Sequence, residues 1–224
     1  LSNTNFPFTS HLLFIYYELD IYCLRNKSMF TWGIGLIILG YLAGSIPTGL
    51  LLSKAFSDVD PRNEGSRNIG ATNIFRTAGK TLGGLTLLGD CLKGLIPVLL
   101  ALWLMKSDIW IGLIALSAFA GHLFPVFLKF KGGKGVATAL GVYLGIAPLA
   151  VLIDAGIFFG VVLKWRFISL GSLTAAALMP ILIAVLTKSK PYVIASLIIA
   201  GLIYYRHHEN IRRLLGGSEN RLRL

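Results

Sequence analysis

Charge is scarce in this chain of 224 residues. Only 14% of them are Asp, Glu, Lys or Arg, against roughly 25% in ordinary soluble domains. That excludes a solvated coiled coil, a disordered polypeptide and a typical cytosolic enzyme. Acidic residues are scarcer still, 10 against 21 basic ones. Cysteine is nearly missing: Cys23 and Cys91 are the two, and Cys91 lies inside an apolar segment, so no disulfide framework is implied. No cluster of side chains has metal-ligand spacing. His208-Glu209 begins like a zinc-protease helix, but Arg212 stands where the second histidine belongs. Neither a metal nor another cofactor is expected. What fills the chain is apolar, 55% of all residues, and the solvent for such a composition is a bilayer.

A helix needs about 20 apolar residues to cross a membrane. Apolar stretches run over 30–53, 83–105, 109–128, 136–163, 167–187 and 191–205. The fourth is too long for one crossing and is interrupted near Pro148, after Gly141 and Gly145. It reads as two helices, 136–147 and 149–164, joined by a tight turn. The fold class is therefore an all-α integral membrane protein with seven transmembrane helices; six, with one long tilted span, is the alternative. In the seven-helix reading, fifteen basic residues fall in the connections 54–82, 129–135 and 164–166 and in the tail from Arg206, and five fall on the other side. Positive charge marks the cytoplasmic side, so those polar segments and the C-terminus are expected to be cytoplasmic. Residues 1–28 precede Met29 and lack a signal peptide's basic opening and small-residue cleavage site. They read as an N-terminal extension of uncertain role outside the functional core.

Three of the polar segments carry unusual composition. The first contains Gly44-Ser45-Ile46-Pro47, then Asp60-Pro61-Arg62, then the run from Gly65 to Arg76. Between Ser66 and Arg76, small residues would let backbone N–H groups approach a ligand, and Ser, Thr and Asn add neutral donors. Arg67 or Arg76 would supply a bidentate charge, a set suited to phosphate. A plain Gly/Asn-rich loop between two helices has the same look. The second segment runs from Gly121-His122 through Lys129-Phe130-Lys131-Gly132-Gly133-Lys134-Gly135. It reads as a flexible cationic loop at a helix start, where unpaired N–H groups favour anions, or else as a positive-inside anchor. Gly135 after Lys134 excludes a Walker loop, and Ile74 spoils the one that Gly79-Lys80-Thr81 would end. The third runs from Arg206 to Leu214, with His207, Asn210 and Leu214 on one helical face. His207 and Asn210 would meet a polar substrate at the bilayer surface, while the outer arginines read as the solvated face of an interfacial helix.

Inside the spans, Asp90 and Lys93 stand three residues apart and are expected to form a mutual ion pair of structural purpose. Asp154, just past the proposed turn, is expected in the interface. A small transporter or channel for an anionic metabolite is the rival reading, with Asp90, Lys93 and Asp154 lining its path. Against it, the polar motifs concentrate on one face. Nucleic-acid binding is not expected, because the basic residues are spread among membrane loops.

Taken together, the three segments resemble the cytoplasmic motifs of the bacterial acyl-phosphate:glycerol-3-phosphate acyltransferases, the PlsY family. The patterns GSxP with GSxNxGATNxxR, GHxxPxFxxFKGGKGVAT and RHxxNIxRLxxGxE occur in order between Met29 and Glu219. Arg67 is a departure, since the family usually has glycine there. The resemblance implies a seven-helix enzyme of the bacterial inner membrane, its site on the cytoplasmic side. It would transfer a fatty acyl group from acyl phosphate to the sn-1 hydroxyl of glycerol 3-phosphate, yielding lysophosphatidic acid and inorganic phosphate. Its partners would be these two substrates and the lipid bilayer, with no nucleic acid and no obligate protein partner. By motif position, Ser66, Arg76, Lys134, His207 and Asn210 correspond to the glycerol-phosphate and catalytic residues. Gly70, Ala71, Thr72 and Asn73 correspond to the cradle for acyl phosphate, and Ser172, or alternatively Ser169, to a further polar contact. The His-Asp pair of soluble-donor acyltransferases is missing: five residues after His11, His122, His207 and His208 stand Tyr16, Phe127, Arg212 and Arg213. The family is thought to use the substrate's own phosphate as base. Residues 29–219 would be the membrane-embedded acyltransferase domain and 220–224 a short basic tail.

Overall fold

The chain divides into two units, Leu1–Gly35 and Leu36–Leu224. The computed structural model describes residues 29–222, so the expected extension over 1–28 and the last two residues of the tail lie outside it. In the first unit the described residues, 29–35, are helical. Among the described residues helices account for all regular structure. The helical stretch 29–45 is α1, followed by α2 (Thr48–Phe56), α3 (Ala71–Thr77), α4 (Lys80–Leu104), α5 (Asp108–Leu123), α6 (Val136–Ile146), α7 (Pro148–Trp165), α8 (Ile168–Thr187), α9 (Lys190–Arg206) and α10 (His208–Leu215).

The long apolar stretch breaks at Ala147, and Pro148 opens α7 at its first position. A proline there costs nothing, because its missing N–H would be unpaired in any first turn. Among the described residues five helical segments are long and apolar enough to cross a membrane: Met29–Phe56, Lys80–Leu104, Asp108–Leu128, Pro148–Trp165 and Ile168–Thr187. The other two expected crossings, α6 and α9, have 11 and 17 residues. At 1.5 Å per residue α6 is about 16 Å long, roughly half the hydrocarbon thickness.

The central post is α4, on which α2, α3, α5 and α6 all pack. Close approach to α6 depends on small residues. A Cβ at Gly94 would collide with the Thr138 carbonyl, and one at Gly141 with the Cys91 carbonyl. Such contacts substitute for the hydrophobic drive that lipid does not supply between helices. Helices α7, α8 and α9 then pair in sequence, and α9 returns onto α5.

Asp90 and Lys93 form the expected pair, 2.8 Å apart and buried, but they do not stand alone. Lys93 Nζ also donates to the Ile46 carbonyl at 2.8 Å, the Thr48 hydroxyl donates to Asp90 Oδ1, and His122 Nδ1 lies 3.7 Å from the same oxygen. This polar hub fastens the turn after α1 to α4 and faces the end of α5. Asp154 shows a feature that its sequence position did not announce. It is buried in the protein, because α7 turns the stripe Ala150, Val151 and Asp154 inward.

The connection 57–70 contains a second departure with a backbone cause. Arg67 has φ +55°, the left-handed region that costs an L side chain roughly 1–2 kcal/mol. Its glycine-for-arginine difference from the resembled pattern is therefore a matter of conformation as well as charge. Arg67→Gly is expected to stabilise the protein by about 1 kcal/mol, read as a rise of a few degrees in Tm in detergent. A fall in Tm would mean that the guanidinium contributes more than its backbone costs.

Candidate functional site

Asn73 organises the first loop. Its side-chain amide donates to the carbonyls of Pro61 at 2.9 Å, Glu64 at 3.1 Å and Asn68 at 2.9 Å. Its side-chain oxygen accepts the Ser66 N–H at 2.8 Å. The loop thus winds around one fully buried carboxamide, which is committed to the fold. Gly70 N–H is bound by the Asn68 side chain at 2.9 Å, and Gly70 precedes α3, whose first turn holds Ala71 and Thr72. Ser66 is half-buried, and Arg76, on the outer side of α3, is exposed.

The glycines of the second loop serve proximity more than flexibility. Gly133 N–H donates to the His122 carbonyl at 3.1 Å and Gly132 N–H to that of Leu123 at 3.2 Å. A Cβ on Gly132 would collide with the His122 carbonyl, and one on Gly133 with His122 Nε2. On the other flank, Arg206 Nε donates to the Gly133 carbonyl at 3.0 Å, and its Nη2 to that of Gly132. The loop expected to be mobile is pinned from both sides. Lys134 follows it, just before the first turn of α6.

The second and third motifs meet at Lys134, whose Nζ donates to Asn210 Oδ1. Asn210 in turn donates to Glu219 Oε1 at 2.7 Å. The same oxygen accepts the Ser169 hydroxyl at 2.8 Å, and Glu219 Oε2 accepts Arg213 Nε at 2.7 Å. Of the two serines, Ser169 therefore joins this network. Ser172 donates to the Ile168 carbonyl of its own helix at 2.9 Å. Beside the network, Leu222 N–H donates to the Arg166 carbonyl at 2.7 Å, so the tail lies at the end of the bundle that carries the α7–α8 connection.

His207 is buried, and its Nδ1 lies 2.8 Å from the Ile203 carbonyl. A carbonyl only accepts, so Nδ1 carries the proton and Nε2 keeps a lone pair. Burial pulls its pKa down to about 4, against that hydrogen bond, and the ring is neutral at pH 7. Burial also lowers the Lys134 ammonium to about 8; Arg213 and Arg76 push the same way, Glu219 and Glu209 oppose. Arg76 is thus near enough for its charge to be felt at Lys134. Glu219 resists burial, which would raise it, through hydrogen bonds from Arg213, Asn210 and Ser169 that hold its carboxyl below the usual range. Lys134, Arg76 and Arg213 are balanced here chiefly by Glu219 and the more exposed Glu209, and the surplus is positive. A phosphate dianion complements it.

Ser66, Arg76, Lys134, His207 and Asn210 come from three distant stretches. Lys134 and Asn210 are in direct contact, the charge of Arg76 is felt at Lys134 and that of Lys134 at His207, and Ser66 is tied to Asn73. Sequence reasoning missed Glu219, Arg206 and His122. For Glu219 the available signal was its place as the closing residue of the third pattern, in a tail with only one other acid, Glu209. For Arg206 and His122 the partners are backbone groups more than 70 and about ten residues away, which no spacing reveals. Among the described residues no group of three His, Cys, Asp or Glu is placed to hold a metal ion.

Residues 34–217 match a family model described as glycerol-3-phosphate acyltransferase. The glycerol-3-phosphate acyltransferase of Geotalea daltonii is 57% identical over 187 residues, covering 84% of this chain and 96% of that protein. That of Geobacter metallireducens is 60% identical over 183 residues, covering 82% and 94%. Among solved structures, PlsY (YgiH), an integral membrane glycerol 3-phosphate acyltransferase, in its glycerol 3-phosphate form superimposes with a TM-score of 0.83 at 41% identity, over 85% of this chain and 96% of that one. Its lysophosphatidic acid form gives 0.81 at 40% identity.

Proposed function

The chain belongs to the glycerol-3-phosphate acyltransferase family of multi-pass membrane enzymes, and on that premise we propose that its donor is acyl phosphate and its acceptor the sn-1 hydroxyl of glycerol 3-phosphate. The hydroxyl oxygen bonds to the acyl carbonyl carbon, and the bond from that carbon to the phosphate oxygen breaks. Inorganic phosphate leaves with the hydroxyl proton, and lysophosphatidic acid remains. The observation that carries the reading is the Lys134–Asn210–Glu219 junction, with Arg76 acting on its cation. A mixed anhydride is already activated, so catalysis needs charge neutralisation and positioning more than a strong base.

Lys134 and Arg76 neutralise phosphate charge, while Asn210 and the His207 Nε2 lone pair orient the glycerol hydroxyl. The leaving phosphate takes the proton, since a histidine held neutral to about pH 4 is a weak base. Ser66 contributes at the first loop. The segment Gly70, Ala71, Thr72 and Asn73 faces acyl phosphate, with Asn73 acting through the loop it organises. Ser169 touches the network directly and takes the role otherwise proposed for Ser172. The rival transporter reading is the weaker one, because Asp90 and Lys93 are committed to each other, to Thr48 and to the Ile46 carbonyl, while the motif residues gather at the Lys134–Asn210–Glu219 junction.

Its bacterial relatives support a bacterial inner membrane as the chain's location, and contacts among the connections support seven crossings there. The second loop binds Asn210 and Arg206, and the α7–α8 connection binds Leu222. Each intervening pair, α6 with α7 and α8 with α9, therefore goes out and comes back. The positive-inside rule puts that end, with the C-terminus, in the cytoplasm. A thiol label at Lys131→Cys, with both native cysteines replaced, is expected to react from the cytoplasmic face; reaction only from outside would reverse the orientation.

The test of function is turnover by purified protein in detergent, supplied with acyl phosphate and glycerol 3-phosphate. Stoichiometric phosphate and 1-acyl product are expected. Turnover with an acyl thioester instead would overturn the donor, and 2-acyl product the position. The pH profile is fixed by Lys134. It must be protonated, so kcat/KM is expected to fall as pH rises through about 8. The limb in kcat lies higher, because bound phosphate stabilises the ammonium. No inflection from His207 is expected between pH 5 and 8.

A further inference from the structure

We infer that Arg206 is a positioning residue for acyl transfer, holding the Gly132–Gly133 backbone so that Lys134 stands where it meets Asn210. This deepens the site reading above and rests on Lys134 being its working cation. The geometry concerns two consecutive peptide planes. The plane between Gly132 and Gly133 is held at both edges, its carbonyl by Arg206 Nη2 and its N–H by the His122 carbonyl. The next plane is held through the Gly133 carbonyl by Arg206 Nε at 3.0 Å. Peptide groups are planar and trans, so fixing both carbonyls toward Arg206 turns the Lys134 N–H to the opposite side and fixes the position of its Cα, from which the side chain departs.

Two features set this arrangement apart from an ordinary surface arginine. Among the described residues its bonds go to these two carbonyls, and no carboxylate lies within ion-pair distance. And glycine is what permits it: a Cβ at either position would collide with His122, so the segment fits only by lying flat between the His122 side and the Arg206 fork. Guanidinium is suited to this, with a rigid fork of donors that can span two acceptors, whereas an ammonium offers a single point. Arg206 also ends α9, directly before His207. One residue therefore joins the cation of the second motif to the histidine and carboxamide of the third.

The experiment is a double-mutant cycle between Arg206 and Lys134 in the full chain in detergent, with Tm measured for every variant. Arg206→Ala is expected to lower kcat/KM by 30-fold or more in the wild-type background but by less than 3-fold on top of Lys134→Ala, because its effect passes through Lys134. Arg206→Lys is expected to recover only part of the loss. In Arg206→Ala the alkaline limb of kcat/KM is expected to move upward, since a released Lys134 regains water while Arg213, Arg76, Glu209 and Glu219 remain around it. A change under 3-fold in the wild-type background, a full additive loss on Lys134→Ala, or a limb that stays near 8 would each overturn the inference. Should Arg206→Ala not fold, Arg206→Lys runs through the same cycle with the same criteria. If the intact protein fails to turn over acyl phosphate, the donor assignment fails; the cycle is then read from the Kd for glycerol 3-phosphate, where an additive loss overturns the Arg206 role.

Discussion

Lys134→Ala is expected to lower kcat/KM for glycerol 3-phosphate by roughly 10²–10³-fold while leaving Tm nearly unchanged. Truncating one partner of a desolvated charge pair costs about 2–5 kcal/mol, and about 1.4 kcal/mol is a factor of ten. Lys134 is half-buried and close to Arg213 and Arg76. Without a ligand, its removal relieves like-charge repulsion, which is why stability should hold. With phosphate bound, the same cations share a dianion, and the loss appears in full. Steady-state kinetics would divide it: a rise in KM alone would mean that Lys134 grips both ground and transition states equally, and equal falls in kcat and kcat/KM that it acts on the charge that develops at transfer. Lys134→Ala with activity near wild type would remove Lys134 from the site.

Asp90→Ala is expected to have the opposite signature, a loss of about 3–5 kcal/mol in stability. Removing it leaves the buried Lys93 ammonium with the Ile46 carbonyl as its remaining partner, and takes away the acceptor for Thr48. The turn after α1 would then lose its fastening to α4. Replacing both charges, Asp90→Ala with Lys93→Met, is expected to recover much of the loss, since no uncompensated charge remains. Thermal unfolding in detergent measures both variants. A single mutant as stable as wild type would show that the hub does not hold the turn.

Much of the bundle was legible because its signals are local. Pro148 announces the α6–α7 break through its own missing N–H, and Asp90 and Lys93 announce their pairing by a one-turn spacing. The additional hub partners were not legible. Ile46 and Thr48 are more than 40 residues upstream, and the packing of α2 on α4 brings them there. The site divides in the same way. Lys134 stands out as a cation among glycines, but those glycines suggested mobility because their neighbours, His122 and Arg206, become neighbours only in three dimensions. Asn73 looked like a ligand group because a carboxamide among small residues is equally fit to bind substrate or its own loop. Only the carbonyls of Pro61, Glu64 and Asn68 around it decide between them.

The shortness of α6 also bears on the register of the site. Both α6 and α7 leave the turn at Ala147, but α6 has 11 residues and α7 has 18, a difference in length of about 10 Å. Lys134 stands just before the start of α6, and its ammonium meets Asn210 of another helix. One turn added to α6 would carry Lys134 about 5 Å along the helix axis, farther than a hydrogen bond can stretch. The number of residues between Lys134 and Pro148 is thus as much a condition of that contact as the two side chains themselves.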